Sequence, residues 1–524
     1  MRLARLDDAI AHVQKAWPVI ESLWPTAPAF DLKELQPVID AFPRLIERLE
    51  GEAQSVGRRL GPSFLHWLTA LFRRDIYSQW CDARDRVAFV RAIRNALIDL
   101  KALTGTFDVA LWDGQPLDSD GNQRRAFWQG QGLNVLRSDL FAAAMALHEA
   151  FFLEAASNDV VIALSSMLSS PPLPSARTAL WQWFFMLTPV VSSTFASVRR
   201  QFAGIGVEGL GWLVIDEAGQ AVPQAAVGAM MRARRVVVVG DPLQIPPVVT
   251  QSTRLLARLG QHWLKDSRAR YAVDSHSVQT LADRIYPMGV RHPVDDSRFI
   301  GIPLVMHRRC DNPMFDIANA IAYGGRMKHA KDGSAAAHPV FRKSSWWNVC
   351  GETEGDTKYV SAQGEHLLQA LFALYRHDIA TRGPTMPRVF VITPFRQVKS
   401  GLLALLGDHD VWQQGLAGWD VPVPTDLQDW ARISIGTVHT FQGKENDVVF
   451  FVLGCDQARG GAVDWACAEP NLLNVALTRA KSHVYVIGDR DVWAHKRYFS
   501  VAAGMLDTDT WTPALRDELM VEVP

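Results

Sequence analysis

The chain lacks paired cysteines, long apolar runs and any excess of charge, and each absence excludes a class of protein. Its five cysteines, Cys81, Cys310, Cys350, Cys455 and Cys467, form no C-x-x-C pair. Neither a zinc site nor a disulfide framework is therefore indicated. The expected setting is reducing and cytoplasmic. No apolar run of about twenty residues is present, so no membrane-spanning helix is expected. The start of the chain has no basic stretch followed by an apolar segment, so no signal peptide is apparent. Basic and acidic residues number 54 and 55. That balance argues against a chain-wide coat for nucleic acid but leaves room for a local groove. No internal repeat of fixed period is found.

What is present is an ordinary globular composition, 48% hydrophobic and 21% charged. A chain of 524 residues predicts about two to four domains. Residues 1–185 read as a helical region. Leu6, Ile10, Val13, Trp17 and Ile20 recur at steps of four and three, an apolar stripe on one helical face. Similar patterns appear in Phe64–Leu68 and Val87–Leu100, and the stretch from Gly105 to Gly132 reads as loop. A helical pattern resumes at Leu133 and is broken by the turn-prone Ser169–Pro174. From Thr188 the texture changes to short apolar strands alternating with helices, the pattern of a parallel sheet. Two α/β halves are expected, over residues 186–300 and 301–490, followed by a tail over 491–524. Strands of the second half are expected at Val389–Ile392, Ile433–Ile435, Val448–Leu453 and Val484–Ile487.

The densest chemistry lies in two strand ends. Residues 214–220 read Val-Ile-Asp-Glu-Ala-Gly-Gln, and Val236–Val239 run into Gly240-Asp241-Pro242-Leu243-Gln244. The runs Trp212–Ile215 and Val236–Val239 look like strands buried on both faces of a parallel sheet. Ligands in such sheets sit at the carboxyl ends of the strands, where Asp216, Glu217, Asp241 and Gln244 fall. An Asp beside a Glu there suits hydrolysis of a Mg²⁺-nucleotide: one carboxylate holds the metal and the other polarises the attacking water.

A phosphate-cradling loop, G-x-x-x-x-G-K followed by Ser or Thr, is not found. The only Gly-Lys is Gly443-Lys444, and Glu445 follows it. Gly204, Gly206 and Gly209 spell G-x-G-x-x-G, but they precede a strand where the dinucleotide fingerprint follows one. They read as a flexible connection.

A second cluster lies in the second half. Thr393-Pro394-Phe395 leaves a strand with groups suited to phosphates, sugars and base faces of a single strand. Thr437-Val438-His439-Thr440-Phe441-Gln442-Gly443-Lys444-Glu445 crowds hydroxyl, imidazole and amide groups into one loop, with Phe441 expected inside. Ala476–Lys481 carries Arg479 on a helical pattern, and His307-Arg308-Arg309-Cys310 offers another cation. An arginine that reaches across a cleft to a γ-phosphate accelerates phosphoryl transfer. Arginines from one half and a carboxylate pair from the other imply a nucleotide between them.

With these residues in order, the chain resembles superfamily-1 helicases, in particular the Upf1-like (DNA2/NAM7) branch, from about Thr188 to Asp489. The resemblance implies two RecA-like parallel-sheet domains, the first incomplete, preceded by a helical region. It implies ATP and Mg²⁺ as cofactors and single-stranded DNA or RNA as the partner, with no membrane. Asp216 would hold Mg²⁺, Glu217 would be the catalytic base and Gln244 would sense the γ-phosphate. Arg309 and Arg479 would be arginine fingers. Gly240, Asp241, Gly443, Lys444 and Glu445 would line the nucleotide. Ser193, Thr194, Pro394, Phe395, Thr437, His439, Thr440 and Gln442 would touch the strand. The family's phosphate loop belongs before the Asp216 motif. The expectation is therefore the carboxyl-terminal part of a motor, acting alone or completed by an upstream polypeptide segment that supplies the loop. Residues 1–185 loosely resemble the helical insertions that the family places there. The alternative is a strand-binding or scaffolding protein without turnover. A nuclease fused to a motor finds no support, because no nuclease cluster is seen.

Overall fold

The computed structural model describes residues 2–60, 74–104, 114–115, 119–126, 130–156, 158–166, 176–272, 276–291, 298–331 and 335–509. The patterns at Phe64–Leu68 and Ser169–Pro174, and much of the loop expected after Gly105, lie outside the described residues. The chain divides into two compact units, Met1–Val161 and Ile162–Pro524.

The first unit is helical: α1 (Arg2–Leu23), α2 (Leu35–Leu60), α3 (Arg74–Thr104) and α4 (Gln131–Ala155). The predicted stripe Leu6, Ile10, Val13, Trp17 and Ile20 is buried in α1. It packs with Val38, Phe42, Leu45 and Leu49 of α2 and with Val90, Ile93, Leu97 and Leu100 of α3 in one core. Each such side chain contributes about 1.5–3 kcal/mol on leaving water.

The second unit begins with α5 (Arg177–Leu187) and α6 (Phe195–Gln201). Thr188–Thr194 joins them as irregular chain. Gly204 follows α6 at φ +91°, a backbone state that suits glycine, so the three-glycine stretch is a connection. Strand β1 (Leu210–Ile215), helix α7 (Pro223–Met230), strand β2 (Ala233–Val238) and helix α8 (Val278–Ile285) come next. Strands β1 and β2 pair in parallel, Val214 beside Val237. Ile215 packs against Ala226 and Val278. The expectation that both strands are buried on both faces is corrected: Trp212 and Val214 are 63% and 65% exposed, and Val236 and Val237 are also exposed. A two-stranded parallel sheet has too few neighbours to cover both faces.

The second sheet is larger. Helix α9 (Met314–Ala322) leads into β3 (Ser345–Asn348), α10 (Ser361–Arg382), β4 (Val389–Thr393), α11 (Arg396–Leu406), α12 (Leu427–Ser434), β5 (Ile435–Thr437), β6 (Asn446–Val452), α13 (Asn471–Thr478), β7 (Ala480–Gly488) and β8 (Asp507–Asp509). The strand order is β8-β3-β7-β6-β4-β5, with every pair parallel. The fold is therefore α/β with amino-terminal helices. The central strands β6 and β7 carry the continuous apolar runs Val448–Val452 and Val484–Ile487, all buried, as strands covered on both faces require. Two details of the sequence reading change. Ile433 belongs to α12 and is exposed, so the strand begins at Ile435. Residues 491–509 are not a tail: Trp493, Phe499 and Leu506 are buried, and β8 forms the sheet's edge.

Candidate functional site: an acid pair facing two arginines

Strand β1 ends at Ile215 and delivers Asp216 and Glu217 to its carboxyl end. Asp216 Oδ1 accepts the Glu217 N–H at 2.8 Å. Glu217 sits in the left-handed region at φ +52°, which disfavours a side chain by about 1–2 kcal/mol. Strained backbone of this kind clusters at functional sites. Behind it, the ends of β1 and β2 touch. Ala218 N–H donates to Val239 O at 2.9 Å. A Cβ at Gly240 would lie 2.8 Å from Gly219 N and 2.9 Å from Ala218 N. Gly240→Ala is therefore expected to destabilise the protein by about 1–3 kcal/mol through overpacking. Thermal denaturation checks this, and an unchanged melting temperature would show that the two strand ends can part freely.

The other half of the unit faces this acid pair. Glu217 Oε2 accepts from Gln220 Nε2 at 3.0 Å and from Gln442 Nε2 at 3.5 Å. Gly443, at φ +79°, places its Cβ position 4.0 Å from Glu217 Oε1. Glu445 ion-pairs with Arg309 Nε at 2.8 Å and with Lys481 Nζ at 3.4 Å. Arg479 ends α13 and is 1% exposed. Its guanidinium donates to Lys444 O at 2.9 Å, to Val475 O at 3.2 Å and to Thr478 Oγ1 at 3.4 Å. Burial, with Arg309 nearby, lowers its pKa to about 10, while Glu217 and Glu445 oppose the shift. The group stays charged at neutral pH. On the β2 side, Gln244 Nε2 donates to Asp241 Oδ2 at 3.3 Å. Gln244 Oε1 is buried and has no hydrogen-bond partner.

The residues expected to touch a strand lie at the carboxyl ends of β4 and β5, which are aligned by Thr393 beside Thr437. His439 and Thr440 are exposed there and Thr437 is half-buried, with Thr437 Oγ1 3.3 Å from Thr440 Oγ1. Pro394 and Phe395 are buried. The Phe395 ring packs 6.0 Å from Trp465 and 6.4 Å from Trp493. The expectation that Pro394 and Phe395 meet a strand directly is therefore corrected. The surface of that turn belongs to Arg396 and Gln397, and Lys358 Nζ donates to Gln397 Oε1 at 2.9 Å. Ser193 and Thr194 are exposed, and their side chains bond locally, Ser193 Oγ to Thr194 O and Thr194 Oγ1 with Ser197 Oγ.

Two family models, each described as an AAA domain, match residues 173–252 and 298–491. The first carries the acid pair and Gln244, and the second carries both arginines. These are superfamily-1 helicase domains, distantly similar to Upf1 and NAM7. The chain is 22% identical over 291 residues to the ATP-dependent helicase NAM7 of Saccharomyces cerevisiae, a match covering 53% of this chain and 25% of that protein. It is 26% identical over 295 residues to the ATP-dependent helicase upf1 of Schizosaccharomyces pombe, covering 54% and 27%. For the regulator of nonsense transcripts 1 of Dictyostelium discoideum the identity is 23% over 292 residues, covering 53% and 18%. The match thus spans about a quarter or less of these relatives' own length. Among solved structures, the arterivirus nonstructural protein 10 helicase with DNA is similar at 12% identity and a TM-score of 0.24, covering 63% of this chain and 57% of that one.

The helicase domains also hold residues that sequence reasoning missed. Tyr323, Asn471 and Asn474 bond to the loop around Gln244; no local pattern marks Tyr323 or Asn471, and Asn474 opens the helical run to Lys481 without a role read for it. His307 accepts the Cys310 N–H at 2.9 Å through Nε2. Burial, with Arg309 nearby, holds its pKa down at about 4, against an ordinary 6.5. Burial, with His483 nearby, brings His338 to about 4 as well. Because the folded values lie below the unfolded one, the unfolded chain takes up these protons first as pH falls. The stability is fully present above pH 6.5 and is lost as pH falls toward about 4. The melting temperature is expected to drop by several degrees between pH 7 and pH 5. A flat profile would mean that both imidazoles can be charged in the native fold.

Proposed function

We propose that these domains form part of an ATP-driven motor that moves along single-stranded nucleic acid. The observation that carries this reading is the position of Glu217, which is shared between Gln220 of its own half and Gln442 of the facing half, with Arg479 near it and Arg309 near Arg479. A nucleotide γ-phosphate between the halves would meet a carboxylate on one side and guanidinium groups on the other. Glu217 would accept a proton from the attacking water, and the arginines would balance charge on the phosphoryl oxygens. Asp216 would hold Mg²⁺, whose chemistry when bound is to neutralise the phosphates. The fit is reasonable. Asp216 is exposed, and no cluster of three or more His, Cys, Asp or Glu side chains occurs among the described residues. Mg²⁺ uses few protein carboxylates and completes its shell with phosphates and water.

The phosphate-cradling loop would come from polypeptide outside the matched residues. The exposed Trp212 and Val214 on β1 support this, because parallel sheets are ordinarily covered on both faces. Strand contact would fall to Arg396, Gln397, His439 and Thr440, through phosphates and base faces common to DNA and RNA. The alternative reading, a strand binder without turnover, is favoured by one observation, the absence of G-x-x-x-x-G-K followed by Ser or Thr from the sequence.

The test is ATP hydrolysis by the full chain with and without single-stranded DNA or RNA, beside strand binding with and without a non-hydrolysable ATP analogue. Strand-stimulated turnover, or strand affinity that responds to the analogue, supports the motor. Strand binding blind to nucleotide, without turnover, supports the passive binder. A folded chain that binds neither overturns both.

A further inference from the structure

We propose that Tyr323 is a positioning residue that couples Gln244 to the helix bearing Arg479. This rests on the nucleotide reading above and deepens it. The Tyr323 hydroxyl lies just past α9, on the six-stranded half, and donates across the cleft to Asp241 Oδ2. That oxygen also accepts Gln244 Nε2 at 3.3 Å, while Oδ1 accepts Leu243 N–H at 2.8 Å. The Tyr323 oxygen in turn accepts from Asn474 Nδ2 of α13 at 3.1 Å, and the same amide donates to Leu243 O at 3.1 Å. Asn471, one turn earlier on α13, donates to Gln244 O. Leu243 and Ile245, although they follow β2, are buried in the core of the six-stranded half.

The backbone of this loop is thus tied directly to α13 by Asn471 and Asn474, and the Gln244 side chain is joined to α13 through one carboxylate and one buried hydroxyl. Burial and the adjacent Asp241 push the phenol's pKa up, so it remains a donor at neutral pH. A ligand that draws the Gln244 amide away alters what Asp241 Oδ2 carries. The hydroxyl and Asn474 transmit the change to α13, whose last turn leads into Arg479. Gln244 Oε1 and Asn474 Oδ1 are both buried without a partner, which leaves each amide one acceptor free to take a new bond when the cleft changes.

The experiment compares Tyr323→Phe with Tyr375→Phe in the full chain. Tyr375 is a matched control: its hydroxyl donates to Pro422 O at 2.7 Å, within the six-stranded half alone. Hydrogen exchange is read at residues 241–245 and 471–478, and strand-stimulated ATP turnover is measured beside it. Tyr323→Phe is expected to speed exchange in both segments by about tenfold, the effect of one lost hydrogen bond to a charged group. It is also expected to lower kcat by about tenfold with KM changed less. Adding Asn474→Ala should then lower kcat by less than the same change does in the wild-type background, because both residues act in one chain and only the bond to Leu243 O is left to lose. Tyr375→Phe should leave both segments and turnover within about twofold. Faster exchange in one segment only, or equal effects of the two tyrosine variants, would overturn the coupling. If the wild-type chain shows neither turnover nor strand affinity that responds to the ATP analogue, the motor reading fails, and the exchange comparison still decides whether Tyr323 joins the two segments.

Discussion

Replacing Glu217 with Gln is expected to lower strand-stimulated ATP turnover by about 10²–10⁴-fold, the range of a lost general base. The melting temperature should barely move. The amide is isosteric, its oxygen can still accept from Gln220 Nε2, and the backbone keeps the same left-handed conformation. A half-buried position of this kind is worth about 0.5 kcal/mol or less on isosteric exchange. What changes is basicity, since an amide cannot take the proton of the attacking water. Affinity for a non-hydrolysable ATP analogue should therefore stay within a few-fold. The three readouts separate the cases. Turnover equal to wild type removes Glu217 from the chemistry. A matching fall in melting temperature would mean that the carboxylate holds the fold. Only a large loss of turnover with binding and stability intact fits a base.

Much of the architecture was legible because it depends on local pattern. The heptad-like spacing in α1 and the apolar runs of β4, β6 and β7 fell where a periodic core requires them. The acid pair was legible for a similar reason: an apolar run that stops at Asp216 and Glu217 marks a strand end. Other features depend on residues distant in sequence. Trp212 and Val214 read as core because an apolar strand gives no sign of whether anything covers it, and here one face is open. Pro394 and Phe395 read as strand contacts because their position after β4 is right. The neighbours that bury the ring, Trp465 and Trp493, come much later in the chain. Tyr323 and Asn474 were invisible for the same reason. Their importance lies in bonds to Asp241 and Leu243, which the local run around Asn474 does not show. The arginines show a third limit: sequence marks the cation but not its desolvation.

That limit separates Arg309 from Arg479, and their replacements should behave differently. Arg309 is 37% exposed and paired with a Glu445 side chain 43% exposed, so the pair is worth about 0–1 kcal/mol. Arg309→Ala should leave the melting temperature nearly unchanged. Arg479→Lys should not. The guanidinium serves Lys444 O, Val475 O and Thr478 Oγ1 at once, from inside the protein. A lysine has one nitrogen and cannot reproduce that fork. At least one buried acceptor would be left unmet, at a cost of about 1–3 kcal/mol, so the melting temperature should fall by several degrees. If both arginines stabilise charge on the γ-phosphate, each variant should also lose about 10³-fold or more in turnover, measured well below its melting temperature. A turnover loss in Arg309→Ala without a stability loss would assign that side chain to the chemistry alone. Turnover preserved in folded Arg479→Lys, with only the melting temperature lowered, would make Arg479 a buried cap on the loop of Lys444. The phosphate would then face Arg309 as its one guanidinium partner of the pair.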